Sequence, residues 1–132
     1  MADFKAAWAI TSKNEGGYVN DSKDPGKETY RGISFHFWPA WEGWPIVHQV
    51  IIDLRIENTL DAGRAVWQKI TDMLAGNENL NTIVGEFYKK NFWDKLSLDT
   101  EPNQLLANDS FDTAVNMGIG EAKKLEKEGN DA

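Results

Sequence analysis

Residues 16–34 hold Gly16, Gly17, Asn20, Asp21, Ser22, Asp24, Pro25, Gly26 and Gly32, a density of turn formers that no helix sustains. On both sides of this segment the apolar residues recur at helical spacing. The chain is therefore expected to be mainly α, an α+β helical domain with a small β-hairpin or turn-rich region after its first helix. Asp3 is placed to cap that first helix, and Phe4, Trp8, Thr11 and Glu15 then share one face over about three turns. Gly16-Gly17 supplies a stop, because glycine accepts the left-handed conformation common just past a helix end.

Within the turn-rich segment, Tyr30 to Phe35 is the best strand candidate. Pro39 and Pro45 bracket Trp41-Glu42-Gly43-Trp44, which reads as an irregular loop. Ile46, Val47, Val50, Ile51 and Leu54 form a helical stripe, although their β-branching leaves a strand open. Leu60, Val66, Trp67, Ile70, Met73 and Leu74 form a second stripe, ended by Gly76. Leu80, Ile83, Val84, Phe87 and Tyr88 make a third, running toward Phe92-Trp93. After a break over 99–103, Leu105, Leu106, Phe111, Ala114 and Val115 belong to a further helix reaching Met117-Gly118.

A chain of 132 residues is most simply one domain, 1–132, with a sizeable core. Cysteine is absent, which excludes disulfides and thiolate chemistry. His36 and His48 are the only histidines and sit in no metal-binding spacing, so no metal or cofactor is expected. The net charge of -7 argues against nucleic acid, whose phosphates demand a basic surface. No stretch approaches the ~20 apolar residues of a membrane span. Nor does the N-terminus carry the basic and apolar regions of a secretory signal. The protein is expected to be made in the cytoplasm and not embedded in a membrane.

Glu15 is the candidate acid. Partial burial and the negative end of a helix dipole would both raise its pKa and keep it protonated, as a general acid requires. The plainer alternative is a glutamate that caps a turn or pairs with Arg31. Six tryptophans are many for this length, and Trp38, Trp41 and Trp44 cluster. Core packing is the default explanation, yet exposed rings beside an acid can stack sugars. Asp109, Asp112, Thr113 and Asn116 line a polar helix face, either solvated or forming a cleft wall that binds sugar hydroxyls.

Glu15-Gly16-Gly17-Tyr18, Asp24-Pro25-Gly26 and the run from Glu28 to Ser34 resemble the N-terminal signature of the glycoside hydrolase family 108 N-acetylmuramidases. The blocks from Phe87 to Asp94 and from Phe111 to Gly118 are similar to later family blocks. The resemblance covers roughly residues 4–125 and implies a lysozyme-like fold. It also implies cleavage of the β-1,4 bond between N-acetylmuramic acid and N-acetylglucosamine in peptidoglycan glycan strands. Members act as endolysins or are encoded near holins, so the resemblance implies release to the cell wall through a holin or on lysis. The expected form is a monomer.

The family's catalytic glutamate maps to Glu15. Glu15 and Asp24 are separated by eight residues and Thr29 follows after four more, which is similar to the Glu, Asp and Thr arrangement of phage-type lysozymes. The second gap is one residue shorter than in that pattern. Asp24 is then a candidate to stabilise the oxocarbenium-like transition state or activate water, with Thr29 orienting that water. Candidate substrate contacts are Tyr18, Tyr30, Trp41, Trp44, Trp93, Asp112 and Asn116. Lys27 stands where many members have a glycine, and the C-terminal wall-binding segment common among members is expected to be absent or truncated. Two rival readings are a lytic transglycosylase on the same strands and a catalytically silent glycan-binding module.

Overall fold

A computed structural model describes residues 1–14 and 16–124. The described residues are mainly α-helical, with one three-stranded antiparallel sheet. They fall into two compact units, one made of Met1–Asn14 with the residues from Gly85 on, the other of residues 16–84.

The first unit is built on α1 (Phe4–Thr11) and α5 (Gln104–Met117). Both helices begin at side-chain caps. Asp3 accepts a hydrogen bond from the Lys5 amide, and Asn103 accepts from Leu105 and Leu106. Gln104 ties the two starts together, accepting from the Asp3 amide at 2.7 Å and donating to the Asp3 carbonyl at 3.0 Å. Ala107, Ser110, Phe111 and Ala114 form the buried stripe of α5 at helical spacing. Leu105 falls on the opposite side of that wheel and is exposed, which corrects its expected place in the stripe.

The first helix is shorter than its apolar pattern suggests. It ends at Thr11 and tightens into a 3-10 turn over Ser12–Asn14. The α-helical phase set by Phe4, Trp8 and Thr11 is therefore not carried forward as an α-helix beyond Thr11. Glu15 itself lies outside the described residues, as does the chain from residue 125.

α4 (Glu78–Tyr88) contains the boundary between the units, and the third apolar stripe accounts for it. Past Tyr88 the backbone widens into a π-helical turn, Lys89–Trp93, before two 3-10 turns. Ser97, left-handed at φ 54°, joins those two turns. In this unit Phe4, Trp93 and Phe111 meet edge to face at centroid distances of 5.4 to 5.8 Å, and Trp8 stacks on Tyr88 at 5.0 Å.

The second unit carries strands β1 (Tyr18–Asn20), β2 (Glu28–Tyr30) and β3 (Ile33–Ser34), with helices α2 (Trp44–Asp53) and α3 (Arg64–Ala75). Tyr30 to Phe35 is not one strand. Arg31 and Gly32 both take positive φ, 49° and 82°, so the chain reverses and Tyr30 pairs with Ile33. Two consecutive left-handed residues make a turn whose twist matches the flanking strands. The apolar run after Pro45 is helical, with Trp44 and Val47 buried. Pro45 sits in the first turn of α2, where its missing N–H costs nothing.

Ile70 and Leu74 are the buried face of α3, whereas Leu60 and Met73 are exposed rather than part of the core. Gly17 does not take a left-handed φ. Its requirement is space: a Cβ there would meet the Thr71 side chain at 2.3 Å. Thr71 Oγ1 accepts from the Tyr18 amide at 2.9 Å and donates to the Trp67 carbonyl at 2.9 Å, fixing β1 on α3.

Candidate active site

Residues of a strand alternate between its faces, and this alternation sorts the second unit's polar side chains into two groups. Thr29 pairs with Val19 on one side and Ser34 on the other, so these three share a face. Tyr18, Asn20, Glu28 and Tyr30 share the opposite face.

On the Thr29 face the β1–β2 loop folds back over Gly26. The Asp24 carboxylate accepts the Gly26 amide at 3.1 Å, and the Lys27 amide reaches the Asp24 carbonyl at 2.9 Å. Such a side-chain-closed turn holds a carboxylate still without burying it. A Cβ on Gly26 would meet Thr29 Cγ2 at 3.0 Å, Ser34 Cβ at 3.7 Å and Asp24 Oδ1 at 3.8 Å. Asp24, Thr29 and Ser34 thus converge around one glycine. Asp24 is exposed and Thr29 half-buried, so the carboxylate is open to water or a ligand. The glycine matters here because any side chain would fill the space between the carboxylate and the threonine.

Glu15, the expected acid, lies outside the described residues. The chain that follows it is anchored: the Gly17 carbonyl accepts the Arg31 amide at 3.2 Å.

The opposite face carries a network that the sequence reading missed. Tyr18 OH donates to Glu28 Oε2 at 2.5 Å and lies 2.8 Å from Thr59 Oγ1, which also accepts from Asn20 Nδ2 at 2.9 Å. His48 Nε2, from α2, stands 3.2 Å from both Glu28 oxygens. Phe35 and Trp44 pack on the His48 ring at 5.1 and 5.3 Å. Glu28 thereby links the sheet to α2 and to the loop before α3. The register of Asn20 against Glu28 is the one signal that could have put Glu28 beside Tyr18; nothing local marks His48 or Thr59.

Burial, followed by the bond to Glu28, holds the Tyr18 phenol well above the usual tyrosine range. Free tyrosine ionises near pH 10. With the folded value raised, the contribution of Tyr18 to stability is complete below about pH 10 and declines above it, as the unfolded state loses its proton first. Tyr18→Phe is expected to cost about 1–2 kcal/mol at neutral pH. It should also flatten the loss of stability between about pH 10 and 11. Urea midpoints of wild type and variant across that range check this, and parallel profiles would contradict it.

The remaining candidates separate. Tyr18, Tyr30, Trp44 and Trp93 are buried, and a ring enclosed on all sides offers no face to a sugar. The Trp93 indole N–H is taken by Asp99 at 2.7 Å. Trp41 is half-buried, edge-on to Trp44 at 5.7 Å and laid against Gly43. Asp112 and Asn116 belong to the first unit. The Asp112 carboxylate accepts from Thr11 Oγ1 at 2.9 Å, and Asn116 Nδ2 donates to the Asp112 carbonyl at 2.8 Å. Of the sequence candidates, the structure brings together Asp24 and Thr29.

Among the described residues, no group of three or more His, Asp or Glu side chains could hold a metal ion, and no helix is long and apolar enough to cross a membrane. Neither a curated protein nor a solved structure matches this sequence. The sequence model of one family, glycosyl hydrolase 108, matches residues 8–118. That span takes in the Asp24–Thr29 loop, the Glu28 network and most of both units' cores, and on it the chain belongs to the glycosyl hydrolase 108 family.

Proposed function

We propose that this protein is an N-acetylmuramidase, hydrolysing the β-1,4 bond between N-acetylmuramic acid and N-acetylglucosamine in peptidoglycan. Family membership supports glycosidic chemistry. The observation that carries the reading is the convergence of an exposed, held carboxylate and the Thr29 side chain around Gly26. Glycosidases need two functions: an acid that protonates the leaving oxygen, and a carboxylate that serves the anomeric carbon.

Glu15 is the acid in this scheme. Its proton passes to the glycosidic oxygen as the bond to C1 breaks. Asp24 faces the positive charge that develops on the sugar ring and takes a proton from the incoming water. The Thr29 hydroxyl hydrogen-bonds that water and aims its lone pair at C1. The water oxygen ends on C1, one of its protons on Asp24, and the leaving sugar carries the proton from Glu15. Residues 1–132 act as one catalytic domain on the wall, reached through a holin or on lysis, with no metal or other cofactor in the chemistry.

Incubation with purified peptidoglycan sacculi tests the proposal. The expected result is a fall in turbidity with new reducing ends appearing in step. Binding to sacculi with no shortening of strands would replace the enzyme with a glycan-binding module.

A further inference from the structure

Among the described residues, the exposed large aromatic side chains are Phe35, Phe37 and Trp38, within four positions of one another. Phe37 is the most open, at 63%, and Trp38 follows at 42%. The segment from Phe35 to Trp41 contains no Asp, Glu, Lys or Arg, in a chain whose net charge is -7.

A continuous set of hydrogen bonds ties this segment to the candidate catalytic loop. The Asp24 carboxylate accepts the Gly26 amide at 3.1 Å, and the Gly26 carbonyl accepts Ser34 Oγ at 2.9 Å. Ser34 Oγ in turn accepts the Phe37 amide at 3.3 Å, and the Ser34 carbonyl accepts the Trp38 amide at 2.9 Å. The last bond closes one helical turn. With residues spaced ~100° apart around such a turn, Phe37 and Trp38 fall on the side of Ser34. Phe35, His36 and Pro39 fall on the other side, where they line a cavity of about 440 Å³ together with Glu28. The His36 ring meets Phe37 edge-on at 4.8 Å and braces it.

We propose that Phe37 and Trp38 form a sugar-stacking platform beside Asp24, with Ser34 as the positioning residue that locks it to the catalytic loop. This rests on the glycan-cleaving reading above and adds a substrate subsite to it. The ligand is an uncharged N-acetyl sugar of the glycan strand, whose apolar C–H face covers an aromatic ring. An exposed aromatic turn with no Asp, Glu, Lys or Arg suits that face. Buried Ser34 explains how two exposed rings keep their position, since its hydroxyl joins both sides of the site.

Kinetics on soluble glycan strands stripped of stem peptides test the platform. Phe37→Ala is expected to raise KM roughly fivefold and leave kcat within about twofold, and Phe37→Tyr should restore KM. The melting temperature should stay put, because the ring is exposed. Ser34→Ala is expected to lower kcat as well, since it frees the loop that carries Asp24. A second arm measures co-sedimentation of Glu15→Gln and of the Glu15→Gln, Phe37→Ala double variant with sacculi, which needs no turnover. Weaker sedimentation of the double variant supports the platform whether or not the enzyme cleaves. Equal KM and equal sedimentation with and without the Phe37 ring would overturn it. A wild-type protein that cleaves nothing would instead remove the muramidase reading.

Discussion

Glu15→Gln is expected to abolish the clearing of purified peptidoglycan, with a loss of about 10²–10⁴-fold or more in rate. The amide has the size of the carboxylic acid and its hydrogen-bonding reach, but it has no proton to give to the leaving oxygen. The substitution removes a charge-bearing group and no apolar volume, so the melting temperature should remain close to that of wild type. A general acid and a structural glutamate part company here. If Glu15 only capped a turn or paired with Arg31, the variant would lose stability and keep its activity. Activity lost without stability is the signature of the acid.

The second large effect lies in the core of the first unit. Trp93→Ala is expected to cost about 3–5 kcal/mol and lower the melting temperature by more than ~10 °C. The indole is fully buried, packed edge-on against Phe4 at 5.5 Å and Phe111 at 5.8 Å, with its N–H bound to Asp99. Removing it leaves a cavity lined by rings that cannot collapse together, and it strips Asp99 of its donor. Trp93→Phe keeps most of the volume and should cost clearly less. Thermal unfolding followed by circular dichroism separates the two variants. A Trp93→Ala protein that melts like wild type but shows a raised KM would return Trp93 to the substrate surface.

Apolar periodicity is a record of burial, and where burial is local it is legible. Ile70 with Leu74, and Phe111 with Ala114, announce their helices because each pair must face one core. Asp3 and the segment before Gln104 likewise mark helix starts through side chains that bond to the next amides. The Arg31-Gly32 reversal was hidden because arginine rarely takes a left-handed φ, so the Tyr30–Phe35 run looks continuous.

The site was readable only in part, for a similar reason. Asp24 and Thr29 are joined through a loop short enough for sequence spacing to bring them together. Glu28, His48 and Thr59 meet across three separate elements, and spacing along the chain carries no trace of that. The aromatic residues show the limit most plainly. Trp41 and Trp44 read as a sugar surface in the sequence, yet Trp44 is covered by its neighbours while Phe37 stands open. Composition counts rings but does not say which faces are covered.

Hydrolysis at the muramic acid C1, by a water that Asp24 and Thr29 serve, separates the proposed enzyme from its rivals. Digestion of purified peptidoglycan in 18O-labelled water, with the mass of each released fragment measured, tests it most directly. Fragments ending in reducing N-acetylmuramic acid that carry one 18O atom are expected from wild type, and none from Glu15→Gln. Fragments ending in 1,6-anhydro-muramic acid, lighter by one water and free of label, would contradict it and assign the chemistry to a transglycosylase.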